Sequence, residues 1–152
     1  LAQDGAHVVL ADTNDAEGEK VADDLQRKYG KGRALSVPTD VTREEALQQA
    51  LRQTVLMYGG LDVLVTDSIP TARAAFTVME AQGIGGAMVL IRAAELDSAH
   101  DLVAAGGALG IRVNSMLPGV QAEAEDVAEA ITFLAGPRSR KITGTILPVG
   151  GV

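Results

Sequence analysis

The sequence contains no cysteine, which excludes disulfides and any thiolate metal site. No apolar run approaches the roughly 20 residues that a membrane-spanning helix needs, so no membrane association is expected. Basic residues are scarce: 13 Lys and Arg stand against 20 Asp and Glu, for a net charge of −7. Nucleic acid and anionic membrane surfaces both reward clustered cations, so neither is an expected partner. The opening residues lack the charged and apolar regions of a secretory signal, which makes the cytoplasm the expected location. They also lack a start methionine. Leu1 falls inside an element, as in a chain excised from something longer.

What remains fits one compact domain over residues 1–152, because 47% of the residues are hydrophobic and can bury a sizeable core. Strand and helix patterns alternate strictly, which calls for an α/β fold with a parallel sheet covered by helices. His7–Ala11 (HVVLA) has the β-branched apolar character of a buried strand. A helix follows it, with Asn14 and Glu17 spaced as a capping box, Ala22, Leu25 and Tyr29 on one stripe, and Gly30 at its end. Arg33–Val37 reads as the next strand and runs into Asp40 and Val41. Thr42 and Glu45 form a second capping-box pattern, and Leu47, Leu51, Val55 and Tyr58 keep helical spacing as far as Gly59. Further strands are expected at Leu61–Val65, Ala87–Ile91, Ile111–Met116 and Thr145–Val149. Helices are expected over about 71–82, 93–105 and 125–134.

Several stretches carry a family resemblance: Leu1–Asn14 (LAQDGAHVVLADTN), Gly60–Val65 (GLDVLV), Gly110–Gly119 (GIRVNSMLPG) and Glu125–Val152 (EDVAEAITFLAG…ITGTILPVGGV). Together they resemble the short-chain dehydrogenase/reductase pattern from its second strand onward. Across most of the chain the similarity is strongest to the C-terminal dehydrogenase domain of bifunctional rhamnulose-phosphate aldolase/lactaldehyde dehydrogenases. That resemblance implies a Rossmann-like doubly wound parallel sheet and an NAD-dependent oxidoreductase for a small aldehyde or hydroxy substrate. It further implies homo-oligomers, and an aldolase domain attached in a longer chain.

Four departures from the family pattern bear on chemistry. The family's first strand and its Gly-rich phosphate turn are missing, so no such helix N-terminus cradles a pyrophosphate. Thr66-Asp67-Ser68, followed by Ile69-Pro70, stands where the family has Asn-Asn-Ala-Gly. Ile91 runs directly into Arg92–Leu96, which resembles the helix that normally begins at the catalytic lysine; the catalytic Ser and the Tyr-x-x-x-Lys pair are absent. The substrate-covering loop between Val120 and Glu125 is almost gone. Tyr29 and Tyr58 are the two tyrosines, and neither has a lysine four residues on. A tyrosinate base needs a neighbouring cation, and Arg92 cannot replace the lysine in proton relay. No catalytic residue is therefore assigned.

The retained positions are cofactor-facing by resemblance. Asp12 matches the carboxylate that holds the adenosine ribose and repels the extra phosphate of NADP. Asp40 and Val41 match the pair beside the adenine, while Asn114, Pro118 and Gly119 match the strand and turn bordering the nicotinamide. Each also has a plain structural reading, as a turn or cap residue. Gly83–Gly86 lies between a helix and a strand and reads as a loop. His7 and His100 lack acidic neighbours at ligand spacing, so no metal site is assigned. Asp97, Ser98 and His100 point in different directions on one helix turn and form no triad. The acidic run Glu123–Asp126 reads as a favourable charge at a helix start. Two main readings follow: a dehydrogenase with its site-forming segments left out, or a degenerate non-catalytic domain serving as scaffold or oligomerisation module. A third, a nucleotide-binding module without chemistry, needs a phosphate site that the sequence does not show.

Overall fold

A computed structural model describes residues 1–91 and 99–151. The protein is α/β, and every strand pairing is parallel. It divides into two compact units, Leu1–Gly60 and Leu61–Val152. The six strands pair as two sheets and not as one. Among the described residues no strand joins them, as expected where the family's first strand is missing.

In the first unit, β1 (Val8–Asp12) pairs with β2 (Ala34–Pro38), in register from Val8 opposite Ala34 to Asp12 opposite Pro38. Between them runs α1 (Asp15–Tyr29). Half of the expected capping box forms: the Asn14 side chain accepts the Glu17 amide at 3.3 Å, while the Glu17 carboxylate lies 3.6 Å from the Lys20 ammonium. Asp15 and Glu17 lie in the first turn and Arg27 and Lys28 in the last, the arrangement that suits the helix dipole. Gly18 lets α1 approach β2, because a Cβ there would collide with Ser36 Oγ.

The next helix, α2 (Glu44–Tyr58), corrects one expectation. Thr42 is not its cap; Arg43 takes that position without a side-chain bond. Thr42 gives both its hydroxyl and its amide to Asp40 Oδ1, at 2.6 and 3.0 Å. A carboxylate two residues back outcompetes the helix start for those donors. At the far end of α2, the Tyr58 hydroxyl donates to the Gly32 carbonyl at 3.1 Å and its ring stacks on His7, with centroids 4.8 Å apart.

Burial pushes the Tyr58 phenol above its ordinary value of 10. The folded state therefore favours the neutral phenol. The stability this contributes is fully present below pH 10 and is lost as pH rises through the raised pKa. A spectrophotometric titration checks it: the wild-type chain is expected to show an ionisation above pH 10 that Tyr58→Phe loses, along with part of the alkaline loss of stability.

In the second unit four strands lie in the order β3 (Val63–Thr66), β4 (Gly86–Ile91), β5 (Ile111–Pro118), β6 (Ile146–Val149). Their crossovers are α3 (Ile69–Gln82), α4 (His100–Leu109) and α5 (Ala124–Ala135). Residues 93–98 of the expected 93–105 helix, together with Arg92, Asp97 and Ser98, lie outside the described residues. The described part, α4, runs on to Leu109 and ends at Gly110, whose φ is +69°. Val89, Met116, Ala130 and Leu134 form a core into which Val127, Ile131 and Leu147 pack. Ala87, Met88 and Leu90 are also buried, as a strand covered on both faces requires. The Gln82 amide bonds both the N–H and the carbonyl of Leu61, at 2.8 and 3.0 Å, and so ties the end of α3 to the entry of the unit. The acidic run at 123–126 works as expected: the Asp126 carboxylate accepts the Glu123 amide at 3.1 Å and starts α5.

Candidate functional site

The six cofactor-facing candidates fall into two groups, one in each unit. In the first unit Asp12 ends β1 and is exposed. Its Oδ1 accepts the Asn14 amide at 2.8 Å and the Thr13 hydroxyl at 3.5 Å, while Oδ2 has no partner among the described residues. The Asp12 carbonyl accepts the Thr39 amide at 2.8 Å, which brings the carboxyl ends of the two strands together. Thr39 is buried, and its hydroxyl returns to the Val37 carbonyl at 2.8 Å. Asp40 follows, and the Thr42 hydroxyl and then the Thr42 amide hold its carboxyl below the usual carboxylate range. It is anionic at neutral pH. Val41 is half-buried in the turn that leads to α2.

The sequence reading missed the structural parts of Thr39 and Thr42. The signal for Thr42 was present in the Asp40-x-Thr42 spacing, which favours an Asx turn over a helix cap. Nothing local marked Thr39, whose partner is the backbone of another strand.

In the second unit Asn114 is fully buried. Its amide nitrogen donates to the Ile142 carbonyl at 3.0 Å, and its amide oxygen accepts the Thr145 N–H at 3.2 Å. The side chain is thus spent on the segment that leads into β6. Pro118 ends β5 opposite Val149, and the Gly119 amide donates to the Val149 carbonyl at 2.7 Å. A Cβ on Gly119 would collide with the Gly151 carbonyl oxygen, and one on Gly150, whose φ is +77°, would strike the Ala122 backbone. This close approach is what requires glycine at 119. Gly119→Ala is expected to displace residues 149–151 and cost about 1–3 kcal/mol. The cost should vanish in a chain ending at Pro148, where the colliding atom is gone; denaturant melts of the four chains check both statements.

The two tyrosines lie at the C-terminal ends of α1 and α2. Tyr58 is tied to Gly32 and its pKa is raised, the opposite of what a tyrosinate base requires. Tyr29 lies in the last turn of α1, with the Lys28 ammonium 5.2 Å from its ring centroid. The Thr66-Asp67-Ser68 turn serves as a helix start. Ser68 Oγ accepts the Thr71 amide at 3.3 Å and the Thr71 hydroxyl at 2.9 Å, and the Ser68 amide donates to Thr66 Oγ1 at 3.1 Å. Among the described residues no glycine-rich turn leads from a strand into a helix N-terminus, and no cluster of His, Asp and Glu could hold a metal. Among the described residues the first unit thus presents two carboxylates, Asp12 and Asp40, near the carboxyl ends of its strands, and no pyrophosphate cradle is found.

The sequence profile of the short chain dehydrogenases matches residues 1–84. The chain belongs to the short chain dehydrogenase family. It is also 30% identical to the uncharacterized oxidoreductase YuxG of Bacillus subtilis, over an alignment of 235 positions covering 99% of this chain and 34% of YuxG. The chain thus spans about a third of that relative's length. In three dimensions it is similar to a 7α-hydroxysteroid dehydrogenase solved with NADH and 7-oxo glycochenodeoxycholic acid: TM-score 0.85, 21% identity, 99% of this chain and 86% of that one. It is likewise similar to YwfH, an NADPH-dependent reductase of bacilysin biosynthesis: TM-score 0.87, 17% identity, 100% and 91%. At these identities the likenesses show the fold, which is Rossmann-like. No helix among the described residues is long and apolar enough to cross a membrane.

Proposed function

We propose that this chain is the frame and adenosine-binding end of an NAD-dependent short chain dehydrogenase acting on a small aldehyde or hydroxy compound, with its proton-transfer groups carried by residues beyond these 152. The observation that carries the reading is Asp12. It is an exposed carboxylate at the carboxyl end of a parallel strand, held through one oxygen by Asn14 and with the other oxygen open to a ribose hydroxyl. Its charge opposes a ribose phosphate and so favours NAD over NADP. The YuxG alignment runs over 235 positions against 152 residues here, so that relative carries stretches with no counterpart in this chain. This supports the placement of the missing acid and base. About two thirds of YuxG lies outside the match, which leaves room in such a relative for a further domain; in this reading that domain is an aldolase. Asp40 and Val41 would flank the adenine. A homo-oligomer in the cytoplasm completes the reading.

Thermal shift tests it. Millimolar NAD is expected to raise the melting temperature more than NADP does, and Asp12→Ser is expected to shrink the preference by about tenfold in apparent affinity. No stabilisation by either dinucleotide would overturn the proposal. The intact mass of the purified protein supplies the second arm: a mass well above 15.7 kDa supports further site-forming segments, and a mass equal to it argues against them.

A further inference from the structure

We propose that Met57 is a redox modification site, at which hydroperoxides form methionine sulfoxide while the rest of the chain's sulfur stays untouched. The sequence has four methionines and no cysteine, so thioethers are its whole sulfur chemistry. All four lie among the described residues. Met79, Met88 and Met116 are 0% exposed, in α3, β4 and β5. Met57 is 61% exposed in the last turn of α2, beside Leu56 at 85%.

Oxidation requires the oxidant to reach sulfur. In the balanced step, a sulfur lone pair attacks one peroxide oxygen and the O–O bond breaks. The thioether is oxidised to the sulfoxide, and hydrogen peroxide is reduced to water. At Met57 that approach needs no rearrangement. At the three core positions it needs local opening of packed elements, which slows the reaction by roughly a hundredfold or more.

The position also keeps the product compatible with the fold. A sulfoxide in the core would place a polar oxygen among apolar neighbours, whereas at Met57 it faces water, two residues before Gly59's left-handed helix end and clear of the buried α2 residues Leu47, Ala50 and Leu51. The same exposure admits a thiol-dependent sulfoxide reductase, so the modification is reversible. Its local effect is to turn the exposed Leu56–Met57 apolar pair into a mixed polar one.

The test is to treat the folded protein with hydrogen peroxide, follow intact mass, and map the oxygen by peptide mass spectrometry. One addition of about 16 Da at Met57 is expected well before any second. Met57→Leu, a substitution that conserves volume on an exposed helix position, should take up oxygen at least about tenfold more slowly. Oxygen appearing at Met79, Met88 or Met116 as fast as at Met57, or an unchanged rate in Met57→Leu, would overturn the inference. In denaturant all four should oxidise at similar rates, and a persistent preference for Met57 there would also overturn it, since burial would then not be the cause.

Discussion

Replacing Arg112 with alanine is expected to destabilise the 61–152 unit by about 2–4 kcal/mol. Arg112 is the second residue of β5, and its guanidinium reaches the C-terminal end of α5, where the last carbonyls of a helix have no intrahelical donors. One terminal nitrogen donates to the Leu134 carbonyl at 2.7 Å, the Ser139 hydroxyl at 2.9 Å and the Ser139 carbonyl at 3.2 Å. The other donates to the carbonyls of Ala135 at 3.1 Å and Gly136 at 3.3 Å. No carboxylate is needed, because the negative end of the helix dipole supplies the counter-charge. Burial pushes the guanidinium pKa down, yet it stays charged at any pH at which the protein folds. Arg112→Lys keeps the charge but offers one nitrogen where two are used, so it should recover less than half of the loss. Equilibrium urea denaturation of the three chains measures both effects. A cost below about 1 kcal/mol for Arg112→Ala would show that water replaces the guanidinium without penalty.

Arg112 also marks where sequence reasoning reaches its limit. The β5 strand was legible because alternation, β-branching and the closing Pro-Gly are local signals. The helices α1 and α5 were legible for the same reason: Asn14 and the acidic run at 123–126 act within four residues of themselves. Thr42 shows how a local signal misleads, since two local partners, Asp40 and the helix start, competed for it and charge decided. Arg112 binds carbonyls 22–27 residues away, and Asn114 binds backbone 28 and 31 residues away. No periodicity records such pairs. Of the candidate site, Asp12 and Asp40 could be located from the strand ends that carry them. That Asn114 would be sealed in the interior could not, because the same Asn in a strand serves equally well facing a ligand or facing a loop.

Asn114→Ala is expected to cost about 2–5 kcal/mol, since it strands two backbone groups, the Ile142 carbonyl and the Thr145 N–H, in a region without solvent. The loss should fall on the entry to β6, where Ser115 N–H pairs with the Thr145 carbonyl and Gly144 N–H with Val113. Faster amide exchange at 144–147 would report it. Asn114→Asp separates the two bonds. Its Oδ1 still accepts from Thr145, but an ionised second oxygen would face the Ile142 carbonyl, and burial also disfavours the charge. The folded-state pKa of the new carboxyl must therefore lie above its unfolded value. Stability is then greatest below that unfolded value, where the acid can donate to Ile142, and it falls as pH rises through the raised pKa. The wild-type chain has no such term at this position, so the difference between the two chains should grow from pH 4 to pH 7, within the range about the ordinary carboxyl value of roughly 4. If Asn114 also touches the dinucleotide, NAD will add less stability to Asn114→Asp than to the wild type even at low pH, where the fold is restored. An equal increment in both chains assigns Asn114 wholly to the clasp between β5 and the segment before β6.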